Sequence, residues 1–146
     1  ASHNGAKIFN AVGVEDLIIT ENRVNGVVIN WAPVHEQGMQ VDPLCLEARA
    51  VLDATGHPCE VVSILTAKNH FRLTDGKSSI QYERSMNAKM GEKAAVEHTA
   101  EVFPGLFVCG MAACGVSGSN RMGPIFGGML LSGMKAAKLI AEALEA

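Results

Sequence analysis

The chain lacks several features that would assign it quickly. It has no excess of positive charge: the net charge is −3, so a basic nucleic-acid footprint is not expected. It has no apolar run long enough to span a bilayer, and no membrane association is expected. Its opening stretch "ASHNGAKIFN" has neither a secretory pattern nor an initiator Met, which suggests a processed chain or a piece of a longer one. Its four cysteines, Cys45, Cys59, Cys109 and Cys114, form no CxxC pair. They read as reduced thiols in a cytoplasmic protein rather than a disulfide framework. No G-x-G-x-x-G follows a strand anywhere, so the usual pyrophosphate grip is missing from these residues.

What remains is a chain of 146 residues, 48% of them apolar and 15 of them Gly. That length is enough for one domain with a real core. "AKIFNAV" reads as the last turns of a helix ending near Gly13. "VEDLIITENRVNGVVINW" reads as two β-runs, with Asn25-Gly26 as the turn dipeptide. "VHEQGMQVDP" reads as a polar loop, "LEARAVLDATG" as one strand becoming buried, and "PCEVVSILTA" as a helix. Residues 68–92 are polar and read as irregular; "KNHFRLTDGKSSIQYER" suggests a solvated face or lid. A short strand follows Pro104-Gly105, and "PIFGGMLLSGMKAAKLIAEALEA" predicts a helix of about six turns. Gly127, Gly128, Ser132 and Gly133 suit close backbone approach along it. No internal repeat is visible. The order of elements is that of part of an α/β dinucleotide-binding protein, with strands that need a parallel sheet to join. The domain expectation is a single unit over residues 1–146.

Five stretches carry a family resemblance: "VVINW", "VDP", "LDATGH", "PGLFVCGMA" and "NRMGPIFGGMLLSGMKAA". Together they resemble the thiamine thiazole synthase family, over nearly the whole chain but only the C-terminal part of a family member. The resemblance implies part of a Rossmann-like FAD/NAD(P)-binding fold, similar to the two-dinucleotide flavoproteins, with a β-meander and without the N-terminal G-x-G-x-x-G unit. It also implies synthesis of an adenylated thiazole carboxylate from NAD, glycine and sulfur, with NAD consumed as a substrate. Dinucleotide contacts are then expected at Gly56, Gly110 and Met111. The alternatives are a fragment of an FAD/NAD-dependent oxidoreductase, or a remnant without catalysis. A homo-oligomer, or a partner supplying the missing half, is expected.

In the fungal and plant type of that family, a Cys just before the "DP" dipeptide gives up its own sulfur once. In certain archaeal members the Cys is absent, and free sulfide is used with ferrous ion. Here the stretch is "GMQVDP", and Gln40 stands where the donor would be. Cys45 lies on the other side of Asp42-Pro43. The resemblance makes Asp42 and His57 an Fe(II)-binding pair, and carboxylate plus imidazole suits that ion. Read alone, Asp42 is also a turn-forming Asp before Pro, and His57 a strand-end residue bonding a carbonyl. His35 is an acid or base candidate near neutral pH, or a solvated loop residue.

Arg121 stands in "NRMGPIFGGM". A guanidinium pairs bidentately with a carboxylate, and Gly123 and Gly127 leave room for a small ligand. The helix starting near Pro124 would add unpaired N–H groups. Arg121, Met122 and Gly123 therefore form a candidate site for a small anion such as glycine; the alternative for Arg121 is a salt bridge to a neighbouring subunit. Met111, Met122, Met129 and Met134 suit packing, Cys109 and Cys114 suit small buried hydrophobes, and Trp31 suits core or interface.

Overall fold

Two strands open the fold, β1 (Val12–Thr20) and β2 (Arg23–Trp31), paired antiparallel. The turn between them is Glu21-Asn22, both at positive φ, the conformation of a two-residue hairpin that matches strand twist. Asn25-Gly26 is not the turn. It lies inside β2, where the Asn25 side-chain amide donates to the Thr20 and Arg23 carbonyls at 3.3 and 3.4 Å and braces the turn from outside. Gly26 is required by the next strand: a Cβ there would lie 2.2 Å from the Leu46 carbonyl oxygen. The residues before Val12 do not form the expected helix; a single 3₁₀ turn spans Ser2–Asn4, and Ile8 and Phe9 are exposed.

The computed structural model describes residues 2–69, 72–76 and 79–145. After β2 a short helix, α1 (Ala32–Glu36), leads through an exposed loop to β3 (Leu44–Glu47), which completes a three-stranded antiparallel sheet in the order β1-β2-β3. The single strand expected over "LEARAVLDATG" is two. It breaks at residues 48–50, and β4 (Val51–Asp53) joins a second sheet. There β4 runs parallel to β6 (Leu106–Val108), which pairs antiparallel with β5 (Ala100–Phe103). The protein is thus mixed α/β, built on two small sheets.

The sheets meet at the β5–β6 turn. Val24 N–H donates to the Pro104 carbonyl at 2.8 Å and Val51 N–H to the Gly105 carbonyl at 2.9 Å. Gly105 has φ +80°, and a Cβ there would lie 2.2 Å from the Val24 carbonyl, so the contact needs glycine.

Helix α2 (Glu60–Asn69) forms where expected and packs on β1 and β4. Its first turn is capped by "DAT": Asp53, fully buried, accepts from the Thr55 amide and hydroxyl and from Val62 N–H, while Thr55 Oγ1 accepts from Glu60 N–H. Leu17, Val24, Val62, Leu65, Leu106 and Val108 fill the core beneath it. Of the stretch 68–92, residues 70, 71, 77 and 78 lie outside the described residues. Its end is not irregular: α3 (Ala88–Glu97) starts at an Asn87 cap whose side chain accepts from Met90 N–H. Two more helices follow, α4 (Met111–Ser117) and α5 (Phe126–Glu145). Helices α3, α4 and α5 enclose a smaller core of Ala94, Ala95, Cys114 and Met122. Met122 is a packing residue as expected, whereas Met134 is 70% exposed and Trp31 43% exposed.

Candidate functional site

The chemistry-bearing residues fall into two groups, one on each sheet. The first follows β2. His35 is exposed on α1, and Gln40 and Asp42 are exposed in the loop ahead of β3. That loop is tied down by the buried Asn30 side chain, which donates to the Val41 carbonyl at 3.3 Å, and by Met39 N–H, which donates to the Val34 carbonyl at 3.0 Å. Cys45 is exposed on β3.

The second group hangs from β4 and the loops around α4. Asp53 fixes the start of the "ATGHP" turn, and Gly56 takes φ +84° within it. A Cβ on Gly56 would lie 3.7 Å from Met111 Cε, so two residues expected to share a cofactor do lie side by side. Gly110, the third, uses its amide internally: its N–H donates to the buried Ser132 Oγ at 2.7 Å, and Ser132 is bonded in turn to Thr99. His57 is half-buried and its Nδ1 lies 2.5 Å from Oε2 of Glu83, whose side chain is 9% exposed.

The Arg121 loop is laced to the segment that carries Glu83. Arg84 N–H donates to the Ser119 carbonyl at 2.9 Å, Arg121 N–H to the Arg84 carbonyl at 3.2 Å, and Asn87 N–H to the Arg121 carbonyl at 3.0 Å. The Asn120 amide adds a bond to the Ser85 carbonyl at 2.8 Å. This short ladder leaves the Arg121 side chain exposed while its backbone is held. Gly123 has φ +71° and sits against Met86. The start of α5 is already capped: Glu92 Oε1 accepts from Gly128 N–H at 3.0 Å, so that amide is not free for a ligand.

Three of the four thiols are buried. Burial, with the charges of Asp53 and Glu83 nearby, pushes Cys59 up to about 12. Burial and Glu83 push Cys114 to about 11, and burial raises Cys109 as well. A thiolate is the reactive form, and these three stay protonated.

The structure therefore brings Gly56, His57 and Met111 together, with Arg121 joined to them through the 83–87 segment. It leaves His35, Gln40 and Asp42 on the other sheet. Among the described residues, no group of three or more His, Cys, Asp and Glu is arranged to hold a metal ion. Glu83, Arg84 and Glu92 were not legible as site residues. All three stand in polar sequence, and only the long-range packing of that sequence onto α4 and the Arg121 loop gives them partners.

Comparison with known proteins adds an independent line. The Thi4 family matches residues 1–126. The thiamine thiazole synthase of Methanothermobacter thermautotrophicus is 49% identical over 145 residues, 99% of this chain and 56% of that protein. That of Pyrococcus furiosus is 54% identical over 140 residues, 96% of this chain and 53% of that protein. The crystal structure of Thermovibrio ammonificans THI4 superposes with a TM-score of 0.94 at 43% identity, covering 99% of this chain and 57% of that one. The chain spans about half the length of these relatives.

Proposed function

The chain belongs to the Thi4 family, and from that premise we propose that it is the C-terminal portion of a thiamine thiazole synthase. It forms part of a Rossmann-like FAD/NAD(P)-binding fold whose nucleotide grip is supplied by a further N-terminal portion or by a partner chain. The substrates are NAD, glycine and sulfide. The observation that carries the reading is about half-identity over nearly the whole chain to proteins of that name.

Each residue then has a part. Arg121 receives the glycine carboxylate as a bidentate fork, and the backbone ladder to Arg84 and Asn87 keeps its base rigid. Met122 anchors the loop in the core while Gly123 keeps it open. Gly56 and Met111 line the nucleotide side. His35, exposed on α1, is the acid or base candidate.

Asp42 and His57 have the donor chemistry for a ferrous ion, but they stand on different sheets, and among the described residues no group of three or more candidate ligands is gathered around them. Metal-bound histidines commonly have a carboxylate at their other ring nitrogen, and Glu83 Oε2 lies 2.5 Å from His57 Nδ1 without an aligned hydrogen bond. This chain supplies two donors, so the remaining positions belong to water, substrate or another chain. When bound, the ion would supply a Lewis-acid centre where glycine-derived substrate and sulfide can be gathered.

Gln40 decides the sulfur source. A self-sacrificing donor loses H2S from a thiol and becomes dehydroalanine, and Gln has no sulfur to lose. The buried thiols Cys59, Cys109 and Cys114 are protonated and enclosed, which supports the same conclusion. The enzyme is therefore sulfide-dependent and turns over repeatedly. Supplied with the N-terminal portion, NAD, glycine, Fe(II) and sulfide under anaerobic conditions, it should form thiazole with no change in its intact mass. Conversion of any Cys to dehydroalanine refutes the sulfide reading, and absence of thiazole with every component present refutes the synthase reading.

A further inference from the structure

No reactive role falls to Glu83, yet it is a carboxylate buried beside His57. Its side chain is 9% exposed, Oε2 lies 2.5 Å from His57 Nδ1, and Oε1 is buried with no hydrogen-bond partner. The contact is close but off-axis, since Nδ1 also completes no aligned hydrogen bond. An unprotonated ring nitrogen and an ionised carboxylate oxygen would repel each other at that distance, so beside a carboxylate the proton of the imidazole belongs on Nδ1. Gly115 of α4 lies beside the pair, but what its missing Cβ spares is Cys59 Sγ, 2.5 Å from where that Cβ would stand.

We infer that Glu83 is a positioning residue for His57: it holds the proton on Nδ1 and so leaves the Nε2 lone pair as the ring's donor. The inference rests on the reading of His57 as a metal ligand only for its consequence, because the tautomer itself is a property of this chain without metal. Which ring nitrogen is protonated is set by the hydrogen bond the other makes. The ladder that ties residues 84–87 to the Arg121 loop gives the carboxylate a fixed base.

The test uses the 146-residue chain labelled with nitrogen-15 in its histidines, observed by NMR at a pH where the ring is neutral, with His57 assigned through His57→Asn. The expected result is a proton on Nδ1 of His57. Glu83→Gln keeps an acceptor oxygen and should keep that tautomer. Glu83→Met keeps the volume without an acceptor and should move the proton to Nε2. A parent ring protonated on Nε2, or a Glu83→Met ring unchanged from the parent, overturns the inference; if Glu83→Met does not fold, the parent ring decides. Anaerobic titration with Co(II) reads the consequence. Glu83→Met should bind roughly 10–100-fold more weakly than the parent, the usual effect of losing an outer partner of a metal-bound histidine. Binding by Glu83→Met equal to the parent, where His57→Asn has lost it, also overturns the positioning role. Binding by His57→Asn equal to the parent instead refutes the metal reading, and the tautomer still judges Glu83.

Discussion

Asp16 and Lys68 show what one exposed charge pair does for β1 and α2. Lys68 Nζ donates to Asp16 Oδ2, and Asp16 Oδ1 accepts from Leu17 N–H. The Lys68 hydrogen bond, aided by that amide, holds the Asp16 carboxyl below its usual range. A carboxyl lowered in the folded state stabilises above its unfolded value, about 3.9, and loses that contribution as pH falls through the folded value. With both side chains substantially exposed, the contribution is at most about 1 kcal/mol. Asp16→Asn should therefore lower Tm at pH 7 by no more than about 4 °C and converge with the parent once the pH has fallen below the folded value. A difference that persists at that pH would show that the loss is one of packing and not of charge. Residue-scale chemistry was legible wherever the partner is local. Asp42, His57 and Arg121 were singled out as candidates by their motifs, while Glu83 was not, because its partner His57 comes from another part of the chain.

Elements were legible where one physical signal dominates. The hairpin strands, α2, the strand after Pro104-Gly105 and α5 follow from hydrophobic pattern and turn chemistry. Helix α3 was hidden in polar sequence because its stability comes from the Asn87 cap and from tertiary contact, as short helices require. That contact depends on Gly91: a Cβ there would lie 2.6 Å from the Asn120 carbonyl and 2.7 Å from Met122 N and Cα, all backbone atoms that cannot swing aside. Gly91→Ala should destabilise by about 1–3 kcal/mol, the usual cost of overpacking, and weaken Arg121-dependent binding by displacing its loop. Gly133→Ala is the control. Nothing lies within 4 Å of a Cβ there, so on helical propensity alone it should stabilise by up to about 1 kcal/mol. Chemical denaturation of both variants checks the pair, and equal effects would disprove the close-packing argument.

The whole molecule leaves much apolar surface uncovered. On α5, Phe126, Leu130, Leu131 and Met134 are 57–71% exposed, and Met86 and Met90 are exposed elsewhere in the chain; none of the described helices is long and apolar enough to cross a membrane. Contiguous apolar surface of this kind marks contact with another chain or segment, in keeping with a chain that spans about half of its relatives. We expect self-association in sedimentation, reduced by Leu130→Lys with Met134→Lys at unchanged helix content; a stable ligand-free monomer of the parent would argue against it. The β4–β6 pairing has a consequence in time. β1 and β2 meet across a two-residue turn, whereas β4 meets β6 only after α2, α3 and β5 have come between them in the chain. Pairing of distant segments is the slow part of folding. Both His57, which follows β4, and Arg121, which follows β6 and α4, depend on it. Nascent chains would pass through a stage in which the hairpin is made and the site is not, so on the way to the native state shape precedes competence.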